Sequence, residues 1–385
     1  MKRKILFLTG TRADFGKLKS LIAAVEQDDA FESAIFATGM HLDPRYGLTV
    51  DEVLNAGFGN IHTFQNQTNG DPMEVVLANT VIGLSRYVAR RPPDMIVVHG
   101  DRVEPLAGAI VGALRNIFVA HIEGGEVSGA IDETIRHAIS KMAHLHFVAN
   151  KTAAARLLHL GEASESVYII GSPDIDIMLS DRLPDIDSLR RRYEIFFEEY
   201  AVVLFHPVTT ESERQAERAE RFTQALIASG RNFVVIYPNN DMGSEVILDA
   251  YHAIEGHPRF RILPSMRFEY FLTLLKNASC IVGNSSAGIR EAPVFGVPTV
   301  NVGNRQCNRF QYESIRNVSH EAREIQAAIE HAWVQERLPQ CRHFGEGNSA
   351  QRFLAALHED SLWRRSLQKL FCDYGNFLSE ILRAI

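Results

Sequence analysis

The sequence predicts a two-lobed α/β fold in which helices cover both faces of open, parallel sheets. Three observations predict it. Short, continuously apolar runs such as MIVVH (Met95–His99) and AVVLF (201–205) read as strands buried on both faces rather than as half-exposed strands. Longer amphipathic segments separate these runs, as βαβ units require. The alternation then pauses once, at about residues 173–199, where Gly171-Ser-Pro-Asp leads into the charged stretch SDRLPDIDSLRRRYEIFFEEY.

The first half supplies expected strands at 4–9, 33–38, 95–99, 117–122, 145–149 and 167–170. The second half supplies them at 201–206, 232–237, 259–263, 279–283 and 299–302. Helices are expected between them, for example at 16–26, 76–90, 152–160, 211–228 and 268–277. The pause sets the division: 1–175 as the N-terminal lobe, 176–365 as the C-terminal lobe, and 366–385 as a helical segment packing back on the first lobe. Two such halves face each other across a central cleft, and ligands of such sheets sit beyond the carboxyl ends of the strands.

Composition bounds the partners. The chain has 385 residues, 46% of them hydrophobic and 23% charged, which suits two cores at about 150 residues per domain. A net charge of −7 argues against a nucleic-acid-coating surface, since phosphate backbones need a basic face. The apolar run at Ile5–Leu8 is too short for a secretory signal, and the stretch 106–122 is broken by Arg115 and too short to span a membrane. A cytoplasmic protein without a membrane partner is expected, its four cysteines reduced.

Four motifs carry chemistry. At GTRADFGK (10–17) the first strand meets a capping-box pattern, Thr11 with Asp14, so a helix begins there with free N–H groups. Such an end attracts anions, and Arg12 suits a phosphate; the alternative is a plain capped helix with a surface arginine. At GNSSAGIREAP (283–293) another strand meets an expected helix start, with Ser285 and Ser286 placed to cap it or to donate to phosphate oxygens. Glu291 follows, either as an acceptor for a ribose diol or as a solvated side chain.

The third motif is acidic. Asp101, with Arg102 beside it, and Glu123 follow neighbouring strands, and Asp132 comes soon after, with Arg136 and His137 beyond. Crowded carboxylates would split their pKa values, leaving one ionised base and one protonated acid. A metal site is disfavoured by the lack of a tight His/Asp cluster; His144 and His146 read as structural. The fourth motif is His206, which ends a buried strand either as a core residue or facing a phosphate. The segments 237–241, with Asn239, and 265–268, with Arg267, end later strands of the same half as loops around a nucleotide.

Taken together, KILFLTGTRADFGKL, VVHGDRVEPLAGA, HIEGGEVSGAIDETIRHAISK, IIGSPDID, FHPVTT, YPNNDMGSE, RFEYFLTLLKNA and GNSSAGIREAP resemble the UDP-N-acetylglucosamine 2-epimerase family, and within it the hydrolysing branch of sialic acid synthesis. The resemblance runs in order over about residues 3–310. It implies a glycosyltransferase-B-like fold of two Rossmann-like lobes. It implies that a base removes the C2 proton of UDP-GlcNAc, that UDP leaves, and that water adds to the bound 2-acetamidoglucal to give N-acetylmannosamine. Asp101, Glu123 and Asp132 match the proton-transfer positions and His206 the diphosphate; Arg12, Ser285, Ser286 and Glu291 match nucleotide-binding positions, with Arg102, Asn239 and Arg267 expected nearby.

No cofactor or metal is implied, and a homo-oligomer, dimer or tetramer, is expected. The chain reads Gly303-Asn304-Arg305-Gln306 where the family has Gly-Thr/Ser-Arg-Gln, so the detail of that contact differs. Arg12-Ala13-Asp14 stands where the non-hydrolysing branch has Arg-Pro-Glu, which points to the hydrolysing branch. The alternatives are the same chemistry on a UDP-2,4-diacetamido-2,4,6-trideoxy sugar of the legionaminic acid pathway and, further off, a glycosyltransferase of the same fold.

Overall fold

A computed structural model describes residues 2–68, 70–127, 131–208, 213–238, 242–306 and 309–373. Its first sheet holds seven parallel strands: β1 (Arg3–Thr9), β2 (Phe31–Ala37), β3 (Ile61–Thr63), β4 (Met95–His99), β5 (Phe118–Ile122), β6 (Leu145–Val148) and β7 (Val167–Ile169). The second holds six: β8 (Ala201–Leu204), β9 (Phe233–Ile236), β10 (Phe260–Leu263), β11 (Cys280–Gly283), β12 (Thr299–Val302) and β13 (Ile315–Val318). The spatial orders are β3-β2-β1-β4-β5-β6-β7 and β10-β9-β8-β11-β12-β13. Each order reverses once, between β1 and β4 and between β8 and β11. Those switch points are where open α/β sheets leave a crevice for a ligand.

Helices cover both faces of each sheet, which is why β4, β5 and β8 are fully buried and, apart from His99 and His121, apolar. On one face of the first sheet the helix Arg12–Glu26 packs Phe15, Leu18 and Ile22 against Ile5, Phe7 and Val97. On the other, Met73–Arg90 and Val103–Leu114 bring Leu84 and Val111 to Leu6, Leu8 and Val98. In the second sheet Gln215–Ala228 and Ala322–Val334 cover one face through Phe222, Leu226 and Ile329. Phe268–Asn277 covers the other through Leu272 and Leu275.

The structure departs from the sequence reading in places. β3 and β13 are short, partly exposed edge strands whose mixed residues give no apolar run. The charged stretch after residue 173 contains a helix, Ile186–Tyr193, capped by Asp185 accepting from the Ser188 N–H at 2.8 Å. Ser349–Leu357 and Asp360–Trp363, placed in the second lobe from sequence, instead bury Phe353, Ala356, Leu357 and Leu362 among Ile5 and Phe147 of the first sheet. Asp176 fixes that crossing by accepting from the N–H groups of Ser349 and Ala350, each at 2.8 Å. Residues 366–373 form no helix, and the rest of the expected terminal helix lies outside the described residues.

Candidate active site

A cavity of about 340 Å³ lies between the carboxyl ends of the two sheets. Arg12, Asp101, Arg102, Glu123 and Asp132 line it from the first sheet, and His206, Ser285, Ser286 and Glu291 from the second. Of the other two expected residues, one is described and does not. Arg267 caps the helix Phe268–Asn277 outside the cavity lining, drawn toward Glu52 with 3.8 Å between Nε and Oε1, while its neighbours Ser265, Met266 and Phe268 face the cavity. Asn239 lies outside the described residues, although Pro238 before it lines the cavity.

After β1 the capping box forms as the sequence requires: Thr11 Oγ1 accepts from the Asp14 N–H at 3.2 Å. Asp14 in turn accepts from the N–H groups of Gly10 and Thr11, at 3.0 and 3.1 Å. Those donors are therefore taken up by the loop's own carboxylate rather than left for an anion. Arg12 spans the cleft: its Nε lies 3.0 Å from Glu52 Oε2, and its Nη1 donates to Ser265 Oγ at 2.8 Å. Arg102 faces Glu104, with 3.4 Å between Nε and Oε2.

After β11 the chain needs glycine. Gly283 has φ +138°, and a Cβ there would lie 1.9 Å from the Leu204 carbonyl oxygen. This close approach lets Asn284 clamp the end of β8. Its Oδ1 accepts from the His206 N–H at 2.7 Å, and its Nδ2 donates to the His206 carbonyl at 2.9 Å. The long helix expected from the sequence does not form. Ser286–Gly288 and Ala292–Phe295 are short 3₁₀ turns, the first capped by Ser285; Pro293 opens the second and Gly296 ends it. So the hydroxyls of Ser285 and Ser286 remain as local donors, without a long helix dipole behind them.

The acidic set converges, but it is not a bare crowd of carboxylates. Arg136 donates to Asp101; Arg305 Nη2 donates to Asp132 Oδ2 at 3.0 Å; Arg290 Nη2 donates to Glu123 Oε1 at 2.6 Å. Glu123 also faces His99 Nε2 at 3.3 Å and accepts from Ser172 Oγ, and its φ of +64° is a strained conformation for a non-glycine residue. Burial would raise both carboxyls, yet Arg136, Arg309 and Arg305 hold Asp101 below its ordinary value. Arg290, Lys17 and His99 hold Glu123 well below its own. The expected split between an ionised and a protonated carboxyl at these positions gives way to a guanidinium for each.

The raised carboxyl is Glu291. It is 3% exposed, burial raises it, and Lys17, with 3.1 Å between Nζ and Oε1, pulls the other way. Its Oε2 is buried with no hydrogen-bond partner among the described residues. An acceptor held open in a cleft suits a hydroxyl donor such as a ribose. Arg309, half-buried, is lowered to about 10 by desolvation and by Arg136. His144 and His146 serve the sheet instead: His144 Nδ1 accepts from the Val119 N–H at 3.1 Å, and His146 Nε2 meets Glu162 at 2.9 Å. Among the described residues no three His, Cys, Asp or Glu gather closely enough to hold a metal ion.

Sequence reasoning passed over Lys17, His99, Asp174, Arg290 and Arg309, all of which line the cavity or pair with residues that do. Lys17 left a signal, for it sits among Phe15, Leu18 and Leu21 on the buried face of its helix, where an unpaired ammonium would not be tolerated. Arg290 and Arg309 gave none, because the carboxylates they face belong to the first lobe.

Residues 23–358 match the family described as UDP-N-acetylglucosamine 2-epimerase. The chain belongs to that family. A relative from Neisseria meningitidis serogroup B named UDP-N-acetylglucosamine 2-epimerase is 45% identical over 96% of this chain and 99% of its own. A Legionella pneumophila relative named UDP-N,N'-diacetylbacillosamine 2-epimerase (hydrolyzing) is 31% identical over 96% and 99%. An Escherichia coli relative named polysialic acid biosynthesis protein P7 is 32% identical over 85% of each. Among solved structures, a UDP-GlcNAc 2-epimerase from Neisseria meningitidis bound to UDP-GlcNAc superposes with a TM-score of 0.76 at 17% identity, over 92% of this chain and 99% of that one. The Methanocaldococcus jannaschii UDP-GlcNAc 2-epimerase in complex with UDP-GlcNAc and UDP gives 0.77 at 19%, over the same shares. These place the fold of this epimerase-family chain, two parallel sheets wrapped by helices.

Proposed function

We propose that this family member is a hydrolysing UDP-GlcNAc 2-epimerase, forming N-acetylmannosamine and UDP from UDP-GlcNAc and water. The observation that carries the reading is the cleft itself. Carboxylates held ionised by their own guanidinium groups, Asp101 and Glu123, face Ser285, Ser286 and His206 at the opposite switch point. An ionised carboxylate suits removal of the weakly acidic C2 proton. As the C1–O bond to UDP breaks, the electron pair of the C2–H bond becomes the C1=C2 double bond of 2-acetamidoglucal. Negative charge then gathers on the diphosphate, for which the hydroxyls, His206 and Arg12 of the same cavity lining offer donors and positive charge. Water adds its hydroxyl to C1, and a proton returns to C2 on the opposite face, giving the manno configuration.

The Arg12-Ala13-Asp14 form supports the hydrolysing branch, as does the likeness to the Legionella relative whose name carries that word. The second reading is the same chemistry on the 2,4-diacetamido-trideoxy sugar, favoured by that relative's substrate name. Incubation with UDP-GlcNAc and no acceptor, beside a parallel incubation with the 2,4-diacetamido substrate, decides between them. Release of UDP with N-acetylmannosamine is expected from the first. Interconversion to UDP-N-acetylmannosamine without release of UDP would show a non-hydrolysing enzyme, and release that needs an acceptor sugar a glycosyltransferase.

A further inference from the structure

Lys17 is 8% exposed, and its ammonium stands among three carboxylates that come from three separate parts of the chain. Its Nζ lies 3.1 Å from Glu291 Oε1, 3.2 Å from Asp174 Oδ2 and 3.9 Å from Glu123 Oε1. Glu291 belongs to the loop after β11, Asp174 to the crossing helix Pro173–Met178, and Glu123 to the end of β5. Lys17 therefore touches both lobes and the segment that joins them. Arg290 is the other cation of the cluster, pairing with Glu123 at 2.6 Å and lying 3.8 Å from Glu126.

We propose that Lys17 is a positioning residue that couples seating of the ribose at Glu291 to the Glu123 carboxylate at the reacting end of the cleft. The inference rests on the nucleotide reading of Glu291 given above. An ammonium has three N–H donors and one charge to divide among its neighbours. In a buried cluster, what one carboxylate takes the others lose, because interior charges are poorly screened. Four carboxylates, Glu123, Glu126, Asp174 and Glu291, share two cations, Lys17 and Arg290, and Glu291 is the one whose carboxyl is raised by burial.

A ribose diol donating to Glu291 stabilises its ionised form and draws Lys17 toward it. The ammonium then neutralises Glu123 less, and Glu123 becomes a stronger base once the nucleotide is in place. Without substrate, Lys17 stays shared and Glu123 is held quiet. The side chain at the nucleotide end thus acts on the proton transfer without touching the reacting atoms.

Steady-state kinetics on UDP-GlcNAc, with wild type, Glu291→Gln, Lys17→Gln and the double variant, test this. A residue that only binds ribose raises KM when lost and leaves kcat alone. Coupling through Lys17 predicts that Glu291→Gln raises KM and also lowers kcat, by up to about ten-fold for each pKa unit that Lys17 takes from Glu123. In the Lys17→Gln background, Glu291→Gln should change KM and leave kcat at the Lys17→Gln value. A raised KM with unchanged kcat in Glu291→Gln, or independent effects on kcat in the double variant, overturns the proposal. Should Lys17→Gln fail to fold, the Glu291→Gln split decides, with Lys17→Arg expected to restore part of kcat lost in other Lys17 substitutions. Absence of turnover in the wild-type chain with either UDP-sugar would instead overturn the functional reading and the coupling with it.

Discussion

Arg305 Nη2 donates to Asp132 Oδ2 at 3.0 Å, joining the loop after β12 to the start of the helix Ile131–Met142 across the cleft. The same guanidinium donates through Nη1 to the Asn284 carbonyl at 3.3 Å, so one side chain ties Asp132 to the clamp that holds His206. The proposed reaction chemistry and the lobe contact thus share residues. Asp101→Asn, Glu123→Gln and Asp132→Asn are each expected to lower kcat by about 10²-fold or more, the scale of lost acid/base catalysis. UDP affinity, read by calorimetry, should persist. Near-wild-type turnover in any two of them would remove the acidic set from the chemistry.

The proposed elimination and hydration would also leave an isotopic mark. In deuterium oxide the proton taken from C2 exchanges before a proton is returned, so N-acetylmannosamine should carry solvent deuterium at C2. Mass spectrometry of the product reads this directly. A product that keeps its original C2 hydrogen would point to a reaction without C2–H cleavage.

Acid should loosen the far side of the first sheet. Glu162 meets His146 Nε2 at 2.9 Å and Lys141 Nζ at 2.7 Å, and it also pairs with Lys369. Burial would raise its carboxyl, but His146 and the two lysines bring it down to about 2. Because the folded value lies below the unfolded one, near 4.5, this stabilisation is complete above pH 4.5 and is lost as pH falls from there toward 2. His146, lowered by burial against the pull of Glu162, acts in the same direction from about pH 6.5 downward. Glu162→Gln should cost on the order of 3 kcal/mol at neutral pH, as a broken buried pair does. It should also flatten the decline in thermal midpoint between pH 4.5 and 3. An unchanged pH slope in that variant would mean another group sets it.

Much of this was legible in the sequence, and the reasons are physical. Buried parallel strands announce themselves as apolar runs, so β1, β4, β5, β8 and β11 and the loops after them could be placed, and with them Arg12, Asp101, Glu123, His206 and Ser285. Edge strands β3 and β13 lack that signature. Pairings across the cleft left no local trace. Nothing near Arg290 in the chain indicates that its partner is Glu123, and so the split read from crowding alone does not appear: Asp101 and Glu123 are both lowered, and Glu291 is raised.

UDP affinity should depend on Arg12, which already bridges Glu52 and Ser265. A charge-assisted hydrogen bond is worth about 1.5–3 kcal/mol, so Arg12→Ala should weaken UDP binding by roughly 10- to 100-fold. Ser285→Ala with Ser286→Ala should cost a comparable amount together. Titration calorimetry with UDP is the measurement. Unchanged affinity in both would place the nucleotide elsewhere.

The approach of the two lobes rests on Gly16. A Cβ at that position would stand 2.5 Å from the Cβ and Cγ of Phe268, so the helix Arg12–Glu26 meets the helix Phe268–Asn277 with no room for a methyl group. Lys19 Nζ pairs with Glu269 Oε1 at 2.6 Å along the same seam, and the Arg12 bond to Ser265 lies just beyond it. Because the obstruction includes the Cβ of Phe268, rotation of the ring cannot relieve it, and Gly16→Ala must push the helices apart. The fold of each lobe should survive, since Gly16 lies between them, and alanine favours the helix by up to about 1 kcal/mol over glycine. The expected outcome is an unchanged far-ultraviolet spectrum, a larger radius of gyration in solution scattering with UDP bound, and a turnover reduced by about ten-fold or more, because water exclusion and assembly of the site need closure. A variant with wild-type dimensions and wild-type turnover would show that the helices move past the obstruction, and that the seam does not set the closed arrangement.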